Sequence, residues 1–441
     1  MKRNVYFIDD IFRKEIAEAR QCMYKTLYAV FKRAFNIEIQ APRIQQNNIF
    51  HKIQEKYKDL DWTKVYFELP EEIEKQYVDL LDKKALYLSY EAPIWLYKIW
   101  KKYNINYIDL RLSYLRYLPD IPMMFSTNIK SAFPVLIEKQ LLKEDLILEA
   151  DLCKASYNFR HFRDWHDLAR YDNGLIFIGQ TEKDTSLMLY GKNDVVKLSN
   201  FEYEIQKVVS QYNKIFYKPH PFASKKHQEF ERNYVEKISK KSIALVNENF
   251  YNLATQDYKI DFIGLSSGAL QEAELFGKVA YQLMDYPFSM KISNDDLMYV
   301  NISSFYFFSP KFWQELLSKE LPIVKPCTEY REIHANLMRE HHNASWGFNE
   351  FYFENRLSTN NQLTAWGTIS SKIIDYYYNT LKPKENNNII KDIANYSKNR
   401  FNYYRCRLLA NVTFGKMRKH YKNKKKELKA KIKAVRRFLK S

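Results

Sequence analysis

The chain has 441 residues, 46% apolar and 16% aromatic, with only 9 Gly and 13 Pro; this composition builds large cores and excludes a disordered chain. Its net charge of +18 suggests nucleic-acid binding until it is divided, because residues 416–441 hold thirteen Lys or Arg against one acid, Glu427, and so carry twelve of the eighteen charges. Length at roughly 150 residues per domain implies two lobes and an appendage.

From the N-terminus, Val5 to Asp9 is a short apolar run that ends in acids. It is expected to be a strand, followed by a helix from Phe12 to about Phe35. Further β-rich runs follow at Ala85 to Tyr90, Ile105 to Leu112, Leu175 to Gly179, Lys214 to Tyr217, Ser242 to Val246, Ile260 to Leu265 and Lys278 to Leu283. Helical stretches lie between most of them, and that alternation predicts parallel βαβ units in two Rossmann-type lobes. The turn-prone Tyr171-Asp-Asn-Gly174 sets the expected boundary. The lobes then run over residues 1–172 and 173–382, with a helical segment at 383–441. In the tail Leu428, Ile432, Val435 and Leu439 recur every three or four residues among lysines, the pattern of a basic amphipathic helix suited to anionic lipid. A solvated charged helix or an RNA-contacting arm would read similarly.

No apolar run approaches the ~20 residues that cross a bilayer, and the N-terminus turns acidic at Asp9, unlike a signal peptide. A cytoplasmic location is therefore expected, peripheral on the inner membrane face through residues 416–441. Cys22, Cys153, Cys327 and Cys406 are far apart and read as reduced and structural.

Three strand-end segments carry candidate chemistry. In Phe216-Tyr-Lys-Pro-His-Pro221 a histidine is locked between prolines beside Lys218, an arrangement that can neutralise a phosphate or simply form a rigid turn. In Ile260 to Lys278 a strand leads through Ser266-Ser267-Gly268 into a helix, where free amides and serine hydroxyls offer an anion site, although serine capping alone gives the same pattern. In Ile176 to Leu187, Asp184 lies just past a strand end, where it serves either the cleft or a loop cap. All three fall where parallel sheets bind ligands, beyond the strands' C-terminal ends.

Taken together, GQTEKDTSL (179–187), YKPHP (217–221) and SSGALQEAELFGK (266–278) resemble the bacterial retaining β-Kdo transferases of capsule and O-antigen assembly. The resemblance covers about residues 175–280. Bacterial sialyltransferases share the HP and paired-serine elements, and CDP-glycerol phosphotransferases share KPHP and the serines; the GQxxxDxS element favours Kdo. The resemblance implies a GT-B-like fold and CMP-β-Kdo as donor, without metal or other cofactor. It also implies retention by double displacement, with a surface glycan or lipid-linked glycan as acceptor. Asp184 would be the nucleophile, His220, Ser266, Ser267 and Gly268 would hold the phosphate with Lys218, and Glu272 would contact the nucleotide. Asp109 and Glu91, at expected strand ends of the first lobe, are the candidates for the base that deprotonates the acceptor. Arg111 and Arg116 could meet the sugar carboxylate.

The other readings are sialic acid or glycerol phosphate transfer on the same fold, and a non-catalytic basic scaffold on membrane or RNA; nucleic acid is not the expected partner. Asp59-Leu-Asp61 has the DxD form of metal-dependent transferases but reads as loop, and His161, His166, His341 and His342 lack companions at zinc spacing.

Overall fold

The computed structural model describes residues 3–8, 10–40, 55–57, 60–161, 165–189, 194–284, 299–330 and 337–339. The basic tail at 416–441 and the polar stretch at 383–399 lie outside them. The chain divides into two units, Met1–Thr364 and Ala365–Ser441, and all described residues belong to the first.

Strands in the described residues are β1 (Val5–Ile8), β2 (Leu86–Tyr90), β3 (Asn106–Leu112), β4 (Met123–Thr127), β5 (Gly174–Ile178), β6 (Lys214–Lys218), β7 (Ala244–Leu245), β8 (Ile260–Gly264), β9 (Ala280–Gln282) and β10 (Val300–Ile302). They form two five-stranded sheets, ordered β1-β2-β3-β4-β10 and β7-β6-β5-β8-β9. The second sheet is parallel throughout. In the first, β1, β2 and β3 run parallel, while β4 and β10 pair antiparallel. This is the mixed α/β, two-lobed, Rossmann-like architecture expected from the sequence.

The central strands are legible as apolar runs because both of their faces are covered. Along β1, Val5 and Phe7 enter one core with helices Ala17–Phe35 and Pro310–Leu317, while Tyr6 and Ile8 enter another with Trp95 and Trp100. Along β5, Ile176 and Ile178 face one core and Leu175 and Phe177 the other. Each such side chain contributes roughly 1.5–3 kcal/mol on burial, so a one-residue slip in register would exchange two complete cores.

Helix Ala17–Phe35 begins five residues later than expected. The Asp10 carboxylate accepts the Phe12 amide at 2.9 Å, holding the chain after β1 in a turn and leaving Arg13 outside the helix. The helix ends at Asn36, whose left-handed backbone (φ 55°) lets its N–H reach the Lys32 carbonyl. A second such residue, Asn173 (φ 57°), lies immediately before β5.

Two features differ from the sequence reading. The stretch assigned to the second lobe, 173–382, does not stay there: β10 pairs with β4, and helix Pro310–Leu317 packs on the first sheet through Phe312, Trp313 and Leu316. The β3–β4 loop also crosses over. Its Tyr114, Leu115 and Leu118, with Leu146 and Tyr171 later in the same expected lobe, share a core with Ile176, Phe262 and Leu270 of the other.

Candidate active site

Because β6, β5 and β8 are adjacent and parallel, their C-terminal ends deliver the three segments to one edge of the second sheet. The corresponding edge of the first sheet presents Arg13 after β1, Glu91 after β2 and Arg111 near the end of β3. Between them lies a cleft of about 480 Å³ lined by Arg13, Trp62, Glu91, Arg111, Arg116, Asp184, Lys218, His220, Ser267, Gly268 and Glu272, among others. That volume lies within the roughly 300–1,000 Å³ typical of small-molecule sites.

On the second-sheet wall Asp184 precedes a short 3₁₀ turn, and its Oδ1 accepts the Ser186 amide at 2.7 Å. The His220 ring accepts the Phe222 amide on Nδ1 at 3.2 Å, which leaves Nε2 to carry the proton of the neutral ring. Burial lowers the His220 pKa, against the opposing charges of Asp184 and Glu231. Lys218 Nζ donates to the Glu248 carbonyl at 2.5 Å, and burial brings its pKa down to about 8.

The two serines part company. Ser267 caps helix Gly268–Leu275, accepting the Ala269 amide, and lies at the cleft. The backbone of Gly268 passes so close to the first lobe that an added Cβ would sit 2.6 Å from the Tyr114 Cβ. Ser266 also borders the cleft but is fully buried. It donates to the Ser186 carbonyl at 2.6 Å and accepts from Gln180 Nε2 at 3.2 Å, and Gln180 Nε2 also reaches Ser186 Oγ at 2.8 Å. Its hydroxyl thus ties the β5 and β8 loops together.

Glu272, one turn into the same helix, is 3% exposed. Its carboxylate accepts the Arg116 amide at 2.5 Å, the Tyr117 amide at 3.3 Å and the Tyr251 hydroxyl at 2.9 Å. Burial raises its pKa to about 7, against those donors and the Arg116 charge. Glu272 therefore bolts the β3–β4 loop to the second lobe from the cleft floor.

On the facing wall the two base candidates separate. Asp109 does not line the cleft: it is wholly buried and accepts from Ser89 Oγ at 2.7 Å, the Ala92 amide at 2.9 Å and Tyr97 OH at 2.5 Å, with Arg111 Nε at 3.5 Å. The sequence reading placed Asp109 at a strand end, but it lies within β3, three residues before Leu112, where that reading also ended the run. Asp109 consequently sits behind Arg111, which reaches forward to Thr185 of the other lobe. Glu91 does line the cleft, directly after β2. Its backbone is left-handed (φ 56°), a conformation costing a non-glycine residue roughly 1–2 kcal/mol and found where surroundings over-determine a functional position. Arg13 Nη1 lies 2.6 Å from Glu91 Oε2. Burial pushes the Glu91 carboxyl up, but Arg13 and then Arg111 outweigh it and hold its pKa below the ordinary value.

Arg13 was not singled out from the sequence, although the rule that ligands bind past the C-terminal ends of strands applies to β1 as well. Asp61 of the set-aside DxD caps helix Trp62–Val65 and pairs with Lys183, beside Asp184. Among the described residues no helix is long and apolar enough to cross a membrane.

Fold and cleft together define a two-lobed α/β protein with an interlobe cleft to which both sheets contribute charged side chains. No family model matches the chain, and no curated protein matches it. Among solved structures, the beta Kdo 2,7 transferase KpsC of Thermosulfurimonas dismutans is similar over 72% of this chain and 89% of that chain, at 12% identity and a TM-score of 0.30. That likeness is weak, and the residues of the cleft carry the functional reading.

Proposed function

We propose that this chain is a glycosyltransferase that takes Kdo from CMP-β-Kdo and passes it, with retention, to a surface-glycan acceptor. The supporting observation is that Asp184, His220 and the Gly268 helix tip line one cleft opposite the Glu91 carboxylate and its partner Arg13. The donor phosphate lies between His220 Nε2–H, the first amides of helix Gly268–Leu275 and Lys218. Those groups stabilise the charge that grows on CMP as its bond to the sugar breaks.

Asp184 attacks the anomeric carbon and CMP departs, leaving a glycosyl ester on the protein. The acceptor hydroxyl then gives its proton to Glu91 while its oxygen displaces Asp184, and the two inversions give retention. Ser266 and Glu272 serve this site by bracing the loops that carry Asp184, Ser267 and the β3–β4 turn. Residues 416–441 hold the enzyme at an anionic membrane surface.

Intact-mass spectrometry after mixing the protein with CMP-Kdo, CMP-sialic acid or CDP-glycerol tests the reading and identifies the donor. The expected result is a Kdo adduct that is lost in Asp184→Asn. An adduct that persists in that variant, or a product of inverted configuration, overturns the mechanism.

A further inference from the structure

Arg13 has no part in the chemistry assigned so far, yet it is held on several sides. Its side chain is 10% exposed and donates to Glu91 at 2.6 Å. The guanidinium carbon lies 5.0 Å from the centre of the Trp62 ring, within cation–π range. Asp184, on the opposite wall, acts on Arg13 as a second counter-charge after Glu91. Arg13 is thus paired with one of the two carboxylates to which the reaction assigns work and shares the cleft with the other.

The deglycosylation step gives this placement a purpose. The acceptor O–H bond breaks and its proton moves to Glu91. The acceptor oxygen bonds to the anomeric carbon, and the bond from that carbon to the Asp184 oxygen breaks with its electron pair returning to Asp184. One negative charge therefore leaves Glu91 and reappears on Asp184. A fixed cation paired with Glu91 and lining the same cleft as Asp184 balances that charge without reorganising in the transition state.

We propose that Arg13 is a positioning residue of this site, the common counter-ion that orients Glu91 for proton transfer and accompanies the charge as it passes to Asp184. This rests on the glycosyltransferase reading above. Other charged or ionisable groups facing Glu91 are Arg20 of helix Ala17–Phe35, Arg111 of β3, Tyr90 of β2 and Tyr66 after helix Trp62–Val65. Arg20 donates to the Asp10 and Arg13 carbonyls, and Arg111 to Tyr299 and the Ala92 carbonyl. Arg13 donates to the Glu91 carboxylate itself.

The test compares the full-length protein with Arg13→Met and Arg13→Lys, using CMP-Kdo as donor and water as acceptor. Adduct formation on Asp184 and release of free Kdo are followed between about pH 5 and pH 8. In Arg13→Met the adduct should still form, but its breakdown should slow by about ten- to a hundredfold. The acid limb of the breakdown rate should move to higher pH, because Glu91 loses the cation that keeps it ionised. The KM for CMP-Kdo should stay within about twofold, and Arg13→Lys should restore the limb. A limb that does not move in Arg13→Met, while wild type forms its adduct, overturns the role of Arg13 alone. Absence of any adduct in wild type with CMP-Kdo, CMP-sialic acid or CDP-glycerol overturns the glycosyl-ester reading, and this inference with it.

Discussion

Replacing Glu272 with Gln isolates the interlobe bolt and produces a pH signature of definite sign. The folded pKa of Glu272 stands at about 7, against an ordinary 4.5. Between those values the folded state binds more protons at this site than the unfolded chain, so stability falls as pH rises through that window. The loss is complete above the folded pKa and amounts to roughly 3.5 kcal/mol at about 1.4 kcal/mol per pKa unit. Glutamine keeps an oxygen for the Arg116 and Tyr117 amides, carries no charge and does not titrate. Urea denaturation of both proteins at about pH 5, 6, 7 and 8 removes contributions common to the two, including that of His220. The wild-type curve should fall relative to Glu272→Gln by roughly 2.5 kcal/mol between the ends of the series, since part of the loss already lies below pH 5. Parallel stabilities across it would refute the argument that Glu272 is buried at the cost of its charge.

Gly268→Ala should cost roughly 1–3 kcal/mol, because the new methyl would meet the Tyr114 side chain at 2.6 Å. Thermal melting and CMP titration should show reduced stability and weaker CMP binding together. Deleting residues 416–441 removes twelve net positive charges, each able to contribute about 1 kcal/mol at an anionic surface. Cosedimentation with phosphatidylserine vesicles should fall sharply while CMP-Kdo hydrolysis in solution is retained; unchanged cosedimentation would remove the membrane role of the tail.

The architecture was legible where burial on both faces writes strands as apolar runs, as at β2, β3, β5 and β8. β10 was not legible: three residues paired antiparallel to β4 carry too short a pattern to stand out, and their partner lies 175 positions upstream. At the site, the position of a motif after a strand was enough to bring Asp184, His220 and Ser267 to one cleft. What a side chain does there depends on its neighbours across the fold. Ser266 and Ser267 look equivalent in sequence, yet Gln180 and the Ser186 carbonyl occupy the first while the second caps a helix. Asp109 was read as lying at a strand end, but three more residues of β3 follow it and put Arg111 in front. Arg13 went unnoticed because its partners, Glu91 and Trp62, are dozens of residues away in the chain.

The crossing of the β3–β4 loop bears on how this protein can be taken apart. Tyr114, Leu115 and Leu118 complete an apolar interior whose remaining members come after residue 140, and β10 with helix Pro310–Leu317 returns in the other direction. A cut at the apparent boundary near Asn173 would leave one fragment with greasy side chains lacking a shell and the other with an open hole in its centre. The two halves are thus poor modules for shuffling or separate expression, and recombination within this architecture must carry both exchanged segments as a set.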